Sequence, residues 1–222
     1  VSGPAWHTGR MSVRMPALPA MPRRGQPFTL AAAAFVMGCW LALLWVLEIV
    51  DQLSGSALET LGISPRELTD LPQIYTAPLI HHGWAHLIGN SVPFFALGVV
   101  ILLSSLWRLL VSTFASVTAS GLVVWFLAPP HSVTVGISGL IFGWLTYLLT
   151  RGIFSRSLRQ VALAVVVFAV YGGVLWGLLP TRSFVSWQGH LGGALGGLAA
   201  AWFLHSTSER RRRLDAHLRR PV

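Results

Sequence analysis

Six predominantly apolar runs follow one another along this chain, and they decide what it can become. They cover residues 28–47, 86–104, 109–127, 138–150, 161–179 and 189–204. Apart from the fourth, they run 16 to 20 residues, close to the ~20 helical residues that span the roughly 30 Å hydrocarbon core of a bilayer. Inside lipid every backbone N–H and C=O needs a partner from the chain itself, so such runs become helices. The fold class expected is therefore all-α, a polytopic membrane protein built as a six-helix bundle. Composition agrees: 54% of the 222 residues are hydrophobic and 10% charged, against roughly 25% charged in a soluble domain. No length remains for a second, soluble domain.

The formal charge of +9 would fit nucleic acid, but its distribution argues for topology instead. All 16 basic residues are arginines, gathered at run ends and in the tails. Counted on alternate sides of the runs, fourteen fall on the side of both tails, leaving Arg66 and Arg182 opposite. The positive-inside rule then places both termini in the cytoplasm, with a bacterial plasma membrane the expected location and no nucleic-acid partner. Residues 1–27, with five prolines and four arginines, read as a disordered cytoplasmic tail. Residues 28–205 form the bundle and 206–222 a basic cytoplasmic tail. The first run is longer than a signal-peptide core and is read as a retained span. Cys39, alone in the chain, is expected to be a buried spectator thiol.

The fourth run is too short to cross. From Ser138 to Thr150 it spans roughly 20 Å before Arg151. With Arg151 at one surface, the other end must begin inside the membrane. That places the hydroxyl of Gly136-Ile137-Ser138-Gly139 at depth. Runs two, four and six all begin on the non-cytoplasmic side, so parity puts His86, Asn90, Ser138 and His190 in one layer. Polar side chains inside a membrane are costly and point to function. A serine hydroxyl needs a base to become a nucleophile, and His190 heads a neighbouring run. No carboxylate lies inside any run, so the pair reads as a Ser–His dyad rather than a triad. The N–H groups at the start of the Ser138 helix, with His86 and Asn90 one turn apart on one face, are candidate donors to an oxyanion.

Around this layer lie two further features. Glycines recur four apart at 189/193/197 and again at 192/196, a pattern that lets helices approach closely, so Gly193 is expected to help bring His190 to Ser138. The loop 48–80 is long for so small a protein and holds amphipathic pieces at 58–63 and 68–74. It either lies in the membrane interface or is a plain solvent loop.

The combination of His81-x4-His86-x3-Asn90, Gly136-x-Ser138-Gly139 and Gly189-His190 with its glycines resembles the rhomboid family of intramembrane serine proteases, over about residues 28–205. The resemblance implies that Ser138 is the nucleophile, His190 the base, that His86 and Asn90 line the oxyanion hole, and that His81 braces the first loop. It implies membrane-spanning helices of other proteins as substrates, cut near their outer end, and no cofactor. Two departures stand out. Pro72-Gln73 occupies the place of a Trp-Arg pair common in the family's first loop. Phe142 stands where many members have a Tyr stacked on the histidine, keeping the ring without the hydroxyl. Two rivals are weighed. His82 and His86, four apart, would suit zinc, but the catalytic Glu of H-E-x-x-H is missing. An inactive rhomboid-like binder of transmembrane clients is the other, although such relatives typically lose the serine or histidine. The sequence leaves the oligomeric state open.

Overall fold

A computed structural model describes residues 27–179 and 186–218, with side chains through Ser206. Most of the expected N-terminal tail, Arg182 and residues 219–222 lie outside the described residues. Among the described residues six α-helices follow in order: α1 (Leu30–Leu53), α2 (Trp84–Ser104), α3 (Leu106–Leu127), α4 (Ser138–Ser155), α5 (Leu158–Tyr171) and α6 (Trp187–Leu218). Among them α1, α2, α3 and the stretch Leu158–Leu178 are long and apolar enough to cross a membrane.

Helix ends move where polar side chains satisfy their own turn. Thr29 caps α1, its hydroxyl accepting from the Ala32 N–H at 3.2 Å. At the other end α1 runs past residue 47 and takes in Glu48 and Asp51, both buried. This corrects the expectation that no carboxylate lies inside an apolar helix. The helix tolerates them because Glu48 accepts from the Gln52 amide at 2.9 Å and Asp51 from the Leu58 N–H at 2.7 Å. Cys39 is also corrected: it lies exposed on the outward face of α1, beside Trp40.

Helix α4 does not stop at Arg151 but continues to Ser155. The guanidinium turns sideways instead of ending the helix. It donates to Gln160 Oε1 at 3.1 Å and to Ser104 Oγ at 3.3 Å, and lies 5.6 Å from the centre of the Tyr147 ring. Arg151 is therefore level with Ser104, the last residue of α2. Counting back about 20 Å along α4 reaches Ser138, whereas α2 rises about 30 Å to Trp84. Ser138 thus starts its helix roughly 10 Å short of the level where α2 starts. The fifth run is also split: α5 ends at Tyr171 and a tighter 3-10 turn carries Gly172–Leu178. Helix α6 runs on to Leu218, beyond the expected end at 204.

The core is centred on α4, whose residues from Gly139 to Leu145, with Tyr147 and Leu148, are buried. Helix α6 reaches it through glycine. A Cβ at Gly193 would overlap the carbonyl oxygen of Gly139, and one at Gly197 that of Gly143. The second set faces a different helix: Cβ atoms at Gly192 and Gly196 would overlap the carbonyls of Ala119 and Ala115 on α3. Without a hydrophobic drive between helices in lipid, close backbone packing of this kind holds them together. By contrast α1 and α5 turn large apolar side chains outward, Trp40, Leu43 and Val46 on one and Val165, Val166 and Phe168 on the other.

The loop between α1 and α2 is structured, with 3-10 turns at Ala57–Leu61, Leu68–Ile74 and Ala77–Leu79. It lies along α3. Trp125 Nε1 donates to the Glu67 carbonyl at 3.0 Å, Tyr75 stacks on Phe114, and Ile74 packs where Gly121 leaves room. Pro72-Gln73, in the place of the family's Trp-Arg pair, belongs to the 3-10 turn Leu68–Ile74.

Candidate active site

The site forms where α4 and α6 begin. Gly136 leads into α4 with φ +118°, a left-handed conformation that favours glycine. Its N–H donates to the Ala77 carbonyl at 2.9 Å, which ties the turn to the first loop. The His86 imidazole lies against the bare Cα, where any Cβ would overlap it. So Gly136 is needed twice, for its backbone angle and for the ring beside it. Ile137 caps α4 without a side-chain acceptor, which leaves the first-turn N–H groups free to face a ligand.

Ser138 is half-buried and His190 buried. The Ser138 hydroxyl and His190 Nε2 are 2.9 Å apart. The other ring nitrogen, Nδ1, lies 2.9 Å from the Gly177 carbonyl oxygen. A carbonyl only accepts, so Nδ1 carries the proton and Nε2 offers its lone pair to the serine. Phe142, one turn into α4, stacks on the imidazole with ring centres 4.0 Å apart and planes 10° from parallel. Ser120 on α3 donates to the Gly189 carbonyl at 2.8 Å, fixing the residue before the histidine. The same serine fills the space a Cβ at Gly139 would need.

His86 and Asn90 lie on α2, one turn apart. Asn90 is buried, and its amide nitrogen has no hydrogen-bond partner among the described residues. A buried donor left unpaired costs about 1–3 kcal/mol, and such a group suits an acceptor that arrives with a substrate. His81 is buried in the loop with its ring edge against His86, centres 5.1 Å apart. Neither of its nitrogens has a partner among the described residues. Burial, with the neighbouring His86 and His82, pushes His81 down to about 3.

His82 does not share a helix turn with His86. Gly83, at φ +81°, separates it from the start of α2, and His82 Nδ1 lies 3.0 Å from Glu59 Oε1. Among the described residues no three His, Cys, Asp or Glu side chains converge to hold a metal.

The structure brings Ser138, His190 and Phe142 together and sets His86 against Gly136, with two further groups beside them that the sequence reading does not single out. Ser120 had a signal, since Ser112, Ser116 and Ser120 recur four apart along α3. The Gly177 carbonyl had none, because a backbone acceptor leaves no mark on residue type.

The family model of the rhomboid domain matches residues 69–207, more than half of the chain. The chain belongs to the rhomboid family. It is similar to uncharacterized proteins of Mycobacterium bovis and Mycobacterium tuberculosis, at 39% identity over 183 residues, which is 79% of this chain and 76% of either relative. A third, from Mycobacterium leprae, is 38% identical over the same length, 72% of that protein. Rhomboid proteins are in general serine proteases of the membrane, and with its apolar helices this rhomboid is an integral membrane protein.

Proposed function

We propose that this rhomboid is an intramembrane serine endopeptidase working by a Ser138–His190 dyad. The observation that carries the reading is the 2.9 Å approach of the Ser138 hydroxyl to His190 Nε2, with Nδ1 engaged elsewhere. In the first step Ser138 Oγ adds to the scissile carbonyl carbon while its proton passes to Nε2. The developing oxyanion is met by the free N–H groups at the start of α4 and by the Asn90 amide and the His86 ring. The imidazolium returns its proton to the leaving amine. Water, activated by the same nitrogen, then releases the acyl chain.

In this reading all six helices cross or enter the bilayer, and both termini are cytoplasmic. Ser138 begins α4 below the outer surface, as its offset of roughly 10 Å from the start of α2 supports. Substrates are membrane-spanning segments of other proteins, cut near their non-cytoplasmic end, and no cofactor takes part. A fluorophosphonate probe tests this on the purified full chain. Wild type labels and cleaves a model transmembrane substrate with EDTA present. Ser138→Ala does neither. An unlabelled, inactive wild type favours a binder of transmembrane clients, and cleavage lost to EDTA and restored by zinc favours a metalloprotease.

A further inference from the structure

Resting on the protease reading, we infer that the backbone carbonyl of Gly177 is the positioning group of His190, in the place a carboxylate holds in a triad. The carboxylates among the described residues with side chains lie elsewhere: Glu48 and Asp51 end α1, and Glu59, Glu67 and Asp70 belong to the first loop. The Nδ1 of His190 meets the Gly177 oxygen at 2.9 Å instead. That single acceptor selects the tautomer in which Nε2 can take the serine proton. In a Ser-His-Asp triad a wrong tautomer lowers kcat about 10⁴-fold, so the choice matters to the rate.

The glycine is required for the carbonyl to come this close. A Cβ at 177 would stand 2.9 Å from Phe142 Cζ and 3.0 Å from His190 Nδ1. It would press on both members of the stacked pair. Phe142 closes one face of the imidazole and the carbonyl fixes its edge. Gly177 belongs to the 3-10 turn that follows α5. The histidine is thus aimed by a segment of a different helix from the one that carries it. A neutral carbonyl orients the ring but adds no charge to offset the imidazolium, so its contribution is smaller than a carboxylate's.

The decisive experiment changes the carbonyl and no side chain. Replacing Leu178 by its α-hydroxy analogue turns the 177–178 peptide into an ester, a weaker acceptor. A control ester made by replacing Leu179 instead weakens the Leu178 carbonyl. Ring ¹⁵N spectra of histidine-labelled protein in detergent should show His190 protonated at Nδ1 in wild type and in the control. The 178 ester should shift it toward Nε2–H. With it kcat falls about tenfold, the scale of one neutral hydrogen bond, while KM stays within about twofold. Gly177→Ala should lower kcat in the same way, and Gly173→Ala, which has open space on the same segment, should not. An Nε2–H histidine in wild type overturns the inference. So do unchanged tautomer and kcat in the 178 ester, or equal losses in the control. Should wild type prove catalytically inert, the protease reading fails while the spectra still decide the positioning.

Discussion

The two flanks of α4 are built on opposite principles. Toward α6 the backbones nearly touch, with Gly193 and Gly197 set on the carbonyls of Gly139 and Gly143. Toward α5 the backbones meet at Gly152, against Gln160 and Val161, and the packing beyond is sparse. Val167 is the one fully buried residue of α5, while Val165, Val166, Phe168 and Val170 point outward. Yet the histidine depends on both sides, since α6 carries it and the turn after α5 holds its Nδ1. In the proposed mechanism the tight seam would set the distance between nucleophile and base, and the loose flank the angle of the ring. In the proposed function a substrate helix has to reach the site, and the flank with little buried surface is the one where movement costs least.

Four changes would break or sharpen this contrast. The largest effect is expected from Ser138→Ala, which removes the nucleophile and leaves both flanks intact. Cleavage should fall by more than about a thousandfold with an unchanged melting temperature in detergent. Substantial remaining activity would detach the chemistry from the seam altogether.

Next comes Asn90→Ala, on α2. It should slow cleavage by about a hundred- to a thousandfold, as for loss of one oxyanion donor, with little change in melting. A large drop in melting temperature would mean that Asn90 holds the bundle together instead.

Gly193→Leu attacks the seam itself. The new side chain must displace the Gly139 carbonyl, and a shift of about 1 Å at a catalytic pair costs about a hundredfold. Activity and melting temperature should fall together, with insertion unaffected because Leu favours the bilayer. Wild-type melting and rate would show that the seam does not set the distance.

The smallest effect concerns His81. It stays neutral in the fold down to about pH 3, whereas the unfolded chain binds a proton below about 6.5. Stability is therefore lost as pH falls from 6.5 toward 3, by up to about 1.4 kcal/mol per pH unit. Melting temperatures between pH 7 and 5 should decline in wild type and flatten in His81→Phe. Parallel curves would assign the decline to other groups.

The helical class and the Ser138–His190 pairing were legible because each has a signature in residue type. Apolar length marks a helix in lipid, and a hydroxyl beside glycine at a helix start marks a possible nucleophile. The glycines of α6 announced close packing but not its division between two helices, since spacing fixes a face and not the neighbour that covers it. The ends of α1 and α4 were misjudged for one shared reason. The first run is set to end before Glu48 and Asp51 and the fourth before Arg151, but each finds partners and stays in its helix. These are Gln52 for Glu48, the Leu58 N–H for Asp51, and Gln160 and Ser104 on neighbouring helices for Arg151. The Gly177 carbonyl was invisible because every residue has one.

The double glycine pattern of α6 also makes that helix a ruler. His190, Gly193 and Gly197 lie close to one face, with Gly192 and Gly196 on another, and each face is keyed to a different neighbour. One residue inserted between His190 and Gly196 would rotate everything beyond it by about 100°, and no sliding of the helix could restore both faces at once. Inserted after Leu198, the same residue leaves the histidine and both keyed faces in register. Within this family, length changes in the last helix should therefore accumulate beyond Leu198 and be absent before it.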